Sequence, residues 1–178
     1  MDEDPVRKVA EWYDALAPSY DELYGQEQDL KHKIILERIG PSRVGTLLDV
    51  GCGTGRLLQQ AENMYDVGIG IDVSRRMLLV AKHRRSSRTD LVQAVSSRLP
   101  FRQHIADCIV SVSTAKAGPN ISELMAESAR VGRKESMLAV IGFDQSVSTI
   151  DPTEARKRLS ARINDRETLN VFTLNRSG

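Results

Sequence analysis

The chain has 178 residues, which suffice for one domain with a single core and are too few for two. Its 25 Lys and Arg residues balance 24 Asp and Glu residues, so the formal charge of +1 favours no class of partner. The two cysteines and three histidines lack the spacing of a metal site, and we expect no bound metal. An acidic N-terminus and the lack of any apolar run of roughly 20 residues predict a cytoplasmic protein without membrane contact.

The first 40 residues are predicted to form two helices. Apolar residues recur at helical spacing over Val6–Tyr24, with Pro18 interrupting the pattern. A second helix is predicted over Gln28–Ile39, where Gly40 and Pro41 end it. We expect these helices to form a lid, residues 1–40, over the rest of a single domain.

From residue 46 onward, short apolar runs alternate with helical segments. The predicted strands are Thr46–Val50, Val67–Val73, Leu91–Val95, Asp107–Ser113 and Met137–Phe143. The predicted helices are Arg56–Tyr65, Arg75–Arg85 with Ser74 as N-cap, and Ile121–Val131. This alternation predicts βαβ units and an α/β core, residues 46–143, with a mainly parallel sheet and helices on both faces. In the tail, residues 144–178, we expect a helix over Thr153–Ile163 and a strand over Thr168–Leu174.

The strongest motif is LLDVGCGTG, residues 47–55, where the first predicted strand ends and a helix begins. Glycines allow the chain to turn tightly and let a ligand approach the backbone. The GxGxG spacing differs from the GxGxxG of dinucleotide sites, and the Gly-Lys-Ser/Thr of a Walker loop is missing. Asp72 ends the second predicted strand, where an acid can accept hydrogen bonds from both ribose hydroxyls of an adenosine ligand.

These segments resemble the class I S-adenosylmethionine (SAM) dependent methyltransferases. The resemblance lies in LLDVGCGTGRLL, in GIGIDVSRRMLLVAK, and in LPF followed by DCIVSVST. The upstream EWYDALAPSYDELY is similar to the N-terminal helix of the family's small-molecule branch, so the resemblance covers roughly residues 11–143. It implies a Rossmann-like, doubly wound sheet, with SAM lying across the carboxyl ends of the strands.

The resemblance also implies roles for individual residues. The three glycines would line the methionine and ribose part of SAM, Asp49 would orient the loop and the cofactor's amino group, and Asp72 would hold the ribose. Val73 and Met77 would offer apolar surface to the adenine, while tyrosines from the first helix close the pocket. The expected cofactor-binding residues are Tyr13, Tyr20, Asp49, Gly51, Cys52, Gly53, Gly55, Asp72, Val73, Met77, Ser96 and Ser111.

Four segments depart from the family pattern. Val95 stands where an acid that contacts the adenine amino group is usual. The turns TAKAG after the fourth strand and GRKES before the fifth are atypical, so the acceptor side is expected to differ from the family. Residues 144–178 are few for the family's last helix and antiparallel strand pair, which predicts a shortened C-terminal part.

Several candidates also have a purely structural interpretation. The glycines could serve only the turn, Asp72 could cap the following helix, and Tyr13 and Tyr20 could simply pack a helix face. Cys52 is expected to be a small buried loop residue and not a nucleophile, because no histidine is placed to activate it. The basic run KHRRSSR, residues 82–88, fits a solvated helix end better than an RNA-binding patch.

These patterns favour a SAM-dependent methyltransferase that acts on an unidentified acceptor, with a small molecule favoured. Ser111, Ser113 and Lys116 are candidates for lining the acceptor end, and no catalytic residue is assigned. One alternative is an RNA- or translation-factor-directed methyltransferase that works with a partner subunit. Many methyltransferases of base amino groups and of glutamine carry an Asn-Pro-Pro-Tyr type of tetrapeptide after the fourth strand, and its absence here counts against those reactions. A SAM-binding scaffold without catalysis is the other alternative.

Overall fold

The structure, a computed structural model, describes residues 4–114, 121–143 and 155–175. Within these ranges the helices are α1 (Pro5–Leu16), α2 (Tyr20–Ile39), α3 (Arg56–Gln60), α4 (Arg75–Ala81), α5 (Ile121–Val131) and a short 3-10 helix (Glu62–Met64). The strands are β1 (Val44–Val50), β2 (Tyr65–Asp72), β3 (Thr89–Gln93), β4 (Ala106–Val112), β5 (Gly132–Phe143), β6 (Ala155–Arg162) and β7 (Glu167–Leu174). None of the helices in the described ranges has the length and apolar character needed to span a membrane.

The seven strands form one mixed sheet in the order β3-β2-β1-β4-β5-β7-β6. Strands β1 to β5 pair in parallel, whereas β7 runs antiparallel to both β5 and β6. The strand order reverses between β1 and β4, which is where open α/β sheets leave a crevice at the carboxyl ends of their strands. The predicted Rossmann-like α/β fold is therefore confirmed.

Two hydrophobic cores cover the two faces of this sheet. Successive residues of a strand point to opposite faces, and Leu47 and Leu48 accordingly belong to different clusters. One core packs α5 against the sheet, and the other packs Ile35 of α2 and Leu57 of α3 against it. Helices on both faces leave the carboxyl ends of the strands free to form a site.

The N-terminal helices are divided differently from the prediction. Helix α1 begins at Pro5 and ends at Leu16. Asp4 is its N-cap, and its side chain accepts a hydrogen bond from the Val6 backbone N–H. Helix α2 already begins at Tyr20, so the predicted start at Gln28 was two turns late. Proline lacks a backbone N–H, which explains why the break falls around Pro18.

Four other predicted boundaries shift as well. The helix predicted over Arg56–Tyr65 ends at Gln60, and the 3-10 helix follows it. Tyr65 is already the first residue of β2. Helix α4 ends at Ala81 instead of Arg85, and β5 begins at Gly132, ahead of Met137. The third strand ends at Gln93, so the predicted strand end at Val95 was wrong and Val95 lies in the loop that follows.

The helix predicted over Thr153–Ile163 is wrong, because residues 155–162 form the edge strand β6. Leu159 and Ala161 are half-buried while their charged neighbours are exposed, as in a strand with one covered face. Pairing with β7 overrides the helical preference of Ala, Arg and Leu. The antiparallel strand pair is thus present, even though this end of the chain was predicted to be shortened.

Candidate functional site

A cavity of about 710 Å³ opens at the carboxyl ends of the parallel strands, where the strand order reverses. We call it the larger cavity. Its walls come from α1, the start of α2, the ends of β1, β2 and β4, and the loop after β3, and its lining residues are Val6, Val9, Tyr13, Tyr20, Val50, Gly51, Ile71, Asp72, Val73, Ala94, Val95, Ser96, Val112, Ser113 and Thr114.

The three glycines of the loop after β1 all have positive φ, yet they differ in surroundings. A Cβ on Gly51 would collide with the side chain of Thr114, so glycine is required where the loop meets the end of β4. At Gly53 a Cβ would meet nothing within 4 Å, which leaves this part of the loop open. Gly55 packs against Ala81 of α4, which is a structural contact.

Asp72 joins the glycine loop to the larger cavity. Its Oδ2 accepts a hydrogen bond of 2.8 Å from the Gly53 N–H, and its Oδ1 accepts one of 2.8 Å from the Ser74 N–H. Burial raises the pKa of the Asp72 carboxyl, while these backbone hydrogen bonds oppose the rise. Ser74 is the N-cap of α4, as predicted, because its Oγ accepts from the Met77 N–H.

A second, smaller cavity of about 350 Å³ adjoins the first. Both cavities include Tyr20, Gly51 and Val112 in their walls, so they meet beside the glycine loop. We call it the smaller cavity. Its lining residues are Tyr20, Gln28, His32, Asp49, Gly51, Cys52, Thr54, Arg56 and Val112.

Asp49 and His32 are unusual among the residues of the smaller cavity. Asp49 Oδ2 and His32 Nδ1 are buried and have no hydrogen-bond partner within the described ranges. Burial, followed by repulsion from Asp72, raises the pKa of Asp49 to about 8. Burial also lowers the pKa of His32 to about 4, so at neutral pH its imidazole is uncharged. Buried polar atoms without partners are rare in folded proteins, and such a pair indicates a site for a polar ligand.

Helices α1 and α2 close the larger cavity from the N-terminal side. Val6, Val9 and Tyr13 lie at helical spacing on α1 and line the cavity, and α1 buries none of its residues in the core. The rings of Tyr13 and Tyr20 have centroids 6.4 Å apart. Burial raises the pKa of the Tyr20 hydroxyl, so that it stays protonated and can act as a hydrogen-bond donor.

Polar contacts join α1 and α2 to the rest of the structure. Asp14 of α1 accepts hydrogen bonds from Ser74 Oγ at 2.6 Å and from the Arg76 N–H at 2.9 Å, at the start of α4. Asp21 of α2 accepts from Thr54 Oγ1 at 2.7 Å and pairs with Arg84 at 2.5 Å. The partners of Asp14 follow Asp72 in the sequence, and Thr54, a partner of Asp21, belongs to the glycine loop.

The end of β4 forms a polar wall of the larger cavity. Ser113 has a left-handed φ of 58°, and its Oγ donates to Glu167 Oε1 of β7 at 3.2 Å. The ammonium of Lys31, on α2, donates to Ser113 Oγ at 3.1 Å, to Glu167 Oε1 at 2.9 Å and to Glu27 at 2.5 Å. Lys31 and Glu167 are both almost completely buried, so α2, β4 and β7 meet in a charged cluster beside the cavity.

Half of the predicted site residues line the larger cavity, namely Tyr13, Tyr20, Gly51, Asp72, Val73 and Ser96. Asp49 and Cys52 line the smaller cavity. The remaining four line neither: the Gly53 N–H donates to Asp72, Gly55 packs on α4, Met77 is a buried residue of α4, and Ser111 donates to Thr114 Oγ1.

Sequence patterns missed part of both cavities. Val6 and Val9 were predicted only as apolar positions of a helix, although their spacing places them on the same helix face as Tyr13. Gln28 and His32 were not singled out, because no local pattern indicates that α2 lies beside the glycine loop. Lys116 lies outside the described residues.

Cysteine chemistry has little support in the structure. Burial raises the pKa of the Cys52 thiol well above its ordinary value and that of Cys108 to about 12, so both stay protonated at neutral pH. Both cysteines are free and buried. Across residues 4–114, 121–143 and 155–175, no cluster of three or more His, Cys, Asp or Glu side chains could hold a metal ion.

Comparison with known proteins gives a family match over most of the core. The family described as methyltransferase domain matches residues 48–140. The protein MJ1252 of Methanocaldococcus jannaschii is 32% identical over 125 residues, which are 69% of this chain and 47% of that protein. The demethylmenaquinone methyltransferase of Tropheryma whipplei is 29% identical over 107 residues, which are 60% of this chain and 45% of that enzyme. The chain thus spans about half the length of these curated relatives.

A solved structure matches the fold over almost the full length of both chains. It is the complex between the Haloferax volcanii Trm112 methyltransferase activator and a methyltransferase, with a TM-score of 0.83. The match covers 96% of this chain and 99% of that chain at 15% sequence identity, and at that identity it shows the fold alone.

Proposed function

Since the chain belongs to the methyltransferase domain family, whose members use SAM, we propose that it transfers a methyl group from SAM to an acceptor. The observation that carries this proposal is the position of Asp72 and Gly51. Both line one cavity at the carboxyl ends of β1 and β2. There the Asp72 carboxylate can bind a ribose, and the Gly51 backbone, which has no side chain, can contact the ligand closely. The larger cavity would hold the adenosine part of the cofactor.

The residues present fit SAM in three respects. The glycine loop leaves open space at Gly53, and at Gly51 the backbone is free of a Cβ. Asp72 uses one hydrogen bond on each carboxylate oxygen, which leaves lone pairs for ribose hydroxyls. Asp49 offers a buried oxygen without a partner in the described ranges, which suits the cofactor's ammonium group.

In this proposal the protein mainly aligns the reactants and excludes water. Bound SAM supplies a methyl group that is already activated on a sulfonium, so no further activation of the leaving group is needed. Tyr13 and Tyr20 would cover the larger cavity from the lid and keep water out. Asp14, which ties α1 to the start of α4, would hold that cover in place.

Ser113 would position the acceptor. Its hydroxyl donates to Glu167 and accepts from Lys31, so one lone pair is left to accept a hydrogen bond from an acceptor N–H or O–H. The acceptor proton would then lie next to Ser113 Oγ, and the Ser113 hydroxyl in turn donates to the carboxylate oxygen Glu167 Oε1. An acceptor with a nitrogen or oxygen nucleophile fits this wall best.

A small-molecule acceptor is favoured because α1 and α2 cover the cavity. The demethylmenaquinone methyltransferase to which the chain is similar is named for such an acceptor. One specific observation favours a second candidate, an enzyme that works with a partner subunit. The chain matches, almost end to end, the fold seen in the complex with the Trm112 activator. In the described sheet β3 and β6 are the edge strands, and a partner could cover one of them.

Methyl-labelled SAM tests both candidates when it is incubated with the protein and a cell extract separated into small molecules, RNA and proteins. We expect label in the small-molecule fraction, and Glu167→Gln should lower the rate of transfer. Label in RNA or protein, or transfer that requires a co-purifying subunit, would support the second candidate. If no fraction acquires label, with or without such a subunit, the chain is not a methyltransferase.

A further inference from the structure

Strand β6 and the turn after it carry an unbalanced positive charge. Residues 155–166 contain five cations and one acid, Asp165, a net +4, whereas the whole chain has a formal charge of +1. All five cations are exposed, and within the described ranges none of them forms an ion pair, unlike the exposed Arg43, which pairs with Asp66. We call this set the basic edge, and its members are Arg156, Lys157, Arg158, Arg162 and Arg166.

Protection of the sheet edge accounts for only part of this charge. Edge strands expose unpaired backbone groups, and charges and bulges keep other chains from pairing with them. Strand β6 has both, because its register against β7 shifts between Lys157 and Leu159. Charges of either sign would serve that purpose, however, and the basic edge continues beyond the strand to Arg166 in the turn. Its single sign and its extent indicate a polyanionic ligand.

The basic edge leads to the end of the sheet where the larger cavity opens. Strand β6 runs antiparallel to β7, which runs antiparallel to β5, so β6 ends on the same side as the parallel strands. Arg162 is the last residue of β6, and Arg166 directly precedes Glu167, which accepts a hydrogen bond from Ser113 in the cavity wall. From Arg156 to Arg162 the strand extends roughly 20 Å.

Side-chain hydrogen bonds fix the turn between β6 and β7. Asn164 Oδ1 accepts from the backbone N–H groups of Arg166 and Glu167, and Asn164 Nδ2 donates to Glu167 Oε2, each at 2.9 Å. Arg162 donates to the carbonyl oxygens of Asn164 at 3.1 Å and Asp165 at 3.0 Å. These carbonyls carry no net charge, so they orient the Arg162 guanidinium without neutralising it.

Four of the five cations are arginines, whose planar guanidinium matches the oxygens of a phosphate. We propose that the basic edge binds the phosphate backbone of single-stranded RNA. An extended row of cations follows an extended nucleic-acid strand, whereas the bulge at Arg158 opposes the addition of a peptide strand. The single aromatic residue among residues 155–175 is the buried Phe172, so binding there depends on phosphates and not on base stacking.

This inference goes beyond methyl transfer, because the basic edge binds RNA whether or not SAM is present. It brings RNA to the side of the larger cavity where Ser113 lies, which is the arrangement that an RNA-directed enzyme requires.

Fluorescence anisotropy with a labelled 20-nucleotide oligouridine, in the absence of SAM, tests the proposal. We expect wild-type protein to bind at 50 mM KCl with a Kd of about 100 μM or below, and to bind much more weakly at 200 mM KCl, because phosphate contacts release counterions. The variant with Arg156→Gln, Arg158→Gln and Arg162→Gln should bind at least about 10-fold more weakly, and its slope of log Kd against log salt should be lower by about 2.

The matched control carries Arg75→Gln, Lys82→Gln and Arg85→Gln. It removes three exposed cations in and after α4, which packs beside the opposite edge strand β3. This control should bind oligouridine within about 2-fold of wild type, because distant charges are screened by salt.

A second variant covers the case in which the glutamine variant of β6 aggregates or fails to fold. Arg156→Glu, Arg158→Glu and Arg162→Glu keep a charged sheet edge and should abolish binding of oligouridine.

The proposal is overturned if wild-type protein does not bind oligouridine at 50 mM KCl, or if the α4 control loses as much affinity as the β6 variants. Tighter binding of a 20-base-pair DNA duplex, or binding of phosphatidylglycerol vesicles without binding of oligouridine, would also overturn it. Because no SAM is used, a negative result leaves the proposed methyl transfer untouched. A protein that binds oligouridine through β6 but does not bind SAM would overturn only the proposed function.

Discussion

The pKa of Asp49 couples the stability of the protein to pH. It lies near 3.8 in an ordinary environment and is raised to about 8 in the folded protein, mainly by burial. The folded state therefore keeps a proton that the unfolded chain has lost, so this contribution to stability is full below about pH 4 and is lost as pH rises through 8. Asp49→Asn removes the titrating group and should lose affinity for SAM.

We expect the Tm of ligand-free Asp49→Asn to rise relative to wild type as pH increases from 5 to 8.5. The gain should reach at least about 1 kcal/mol, or roughly 2–4 °C for a chain of this size. Thermal melts across this pH range check the prediction, with Asp90→Asn on the exposed surface of β3 as control. A difference in Tm that does not change with pH would contradict the raised pKa.

Val95 tests where the adenine lies. The residue follows β3 and lines the larger cavity. The resemblance to the family implies an acid at this position. Val95→Asp should tighten SAM binding by about 1 kcal/mol or more, because a charged hydrogen bond gives roughly 1.5–3 kcal/mol less the cost of desolvating the carboxylate. Val95→Asn is the uncharged control. Weaker binding together with a lower Tm in calorimetry and thermal melts would show that this side chain does not reach the adenine.

At the scale of elements, α1 depends on Asp14 for its attachment. The helix buries none of its residues, and Asp14 supplies two hydrogen bonds to the start of α4. Asp14→Ala should free the lid and speed the release of S-adenosylhomocysteine at least about 3-fold, since a hydrogen bond to a charged group contributes roughly 1.5–3 kcal/mol and this one is partly exposed.

Trp12 provides the measurement, because it is the single tryptophan of the chain and lies on α1 with 55% of its surface exposed. Stopped-flow displacement of S-adenosylhomocysteine can follow its fluorescence. Glu11→Ala, which removes an exposed ion pair to Arg7 within the same helix, is the control. Equal release rates in the two variants would mean that Asp14 does not hold the lid.

The buried pair of Lys31 and Glu167 ties α2 to β7. Lys31→Met removes the ammonium that pairs with the buried Glu167 carboxylate and should lower the free energy of unfolding by about 3–5 kcal/mol. The double variant Lys31→Met, Glu167→Gln should recover much of that loss, because it removes both charges of the buried pair together. Urea denaturation measures both. A double variant no more stable than Lys31→Met would contradict this explanation.

For the molecule as a whole, the sequence predicted what local patterns determine. The strands β1, β2 and β4, the glycine turn, Asp72 and the Ser74 cap each follow from a few adjacent residues. Strand β6 was missed because its conformation depends on pairing with β7, and isolated residues of its composition favour a helix. The smaller cavity was missed for a related reason: α2 contributes Gln28 and His32 only after the chain has folded over the glycine loop.

Calorimetric titration with SAM, S-adenosylhomocysteine, NAD and ATP tests the central claim most directly, because it asks which adenosine ligand the cavity beside Asp72 accepts. SAM and S-adenosylhomocysteine should each bind once per chain, while NAD and ATP give no measurable binding. Asp72→Asn should weaken SAM binding by about 1–3 kcal/mol, the cost of losing a charged hydrogen-bond acceptor. Tighter binding of NAD than of SAM, or SAM binding that Asp72→Asn leaves unchanged, would contradict the account.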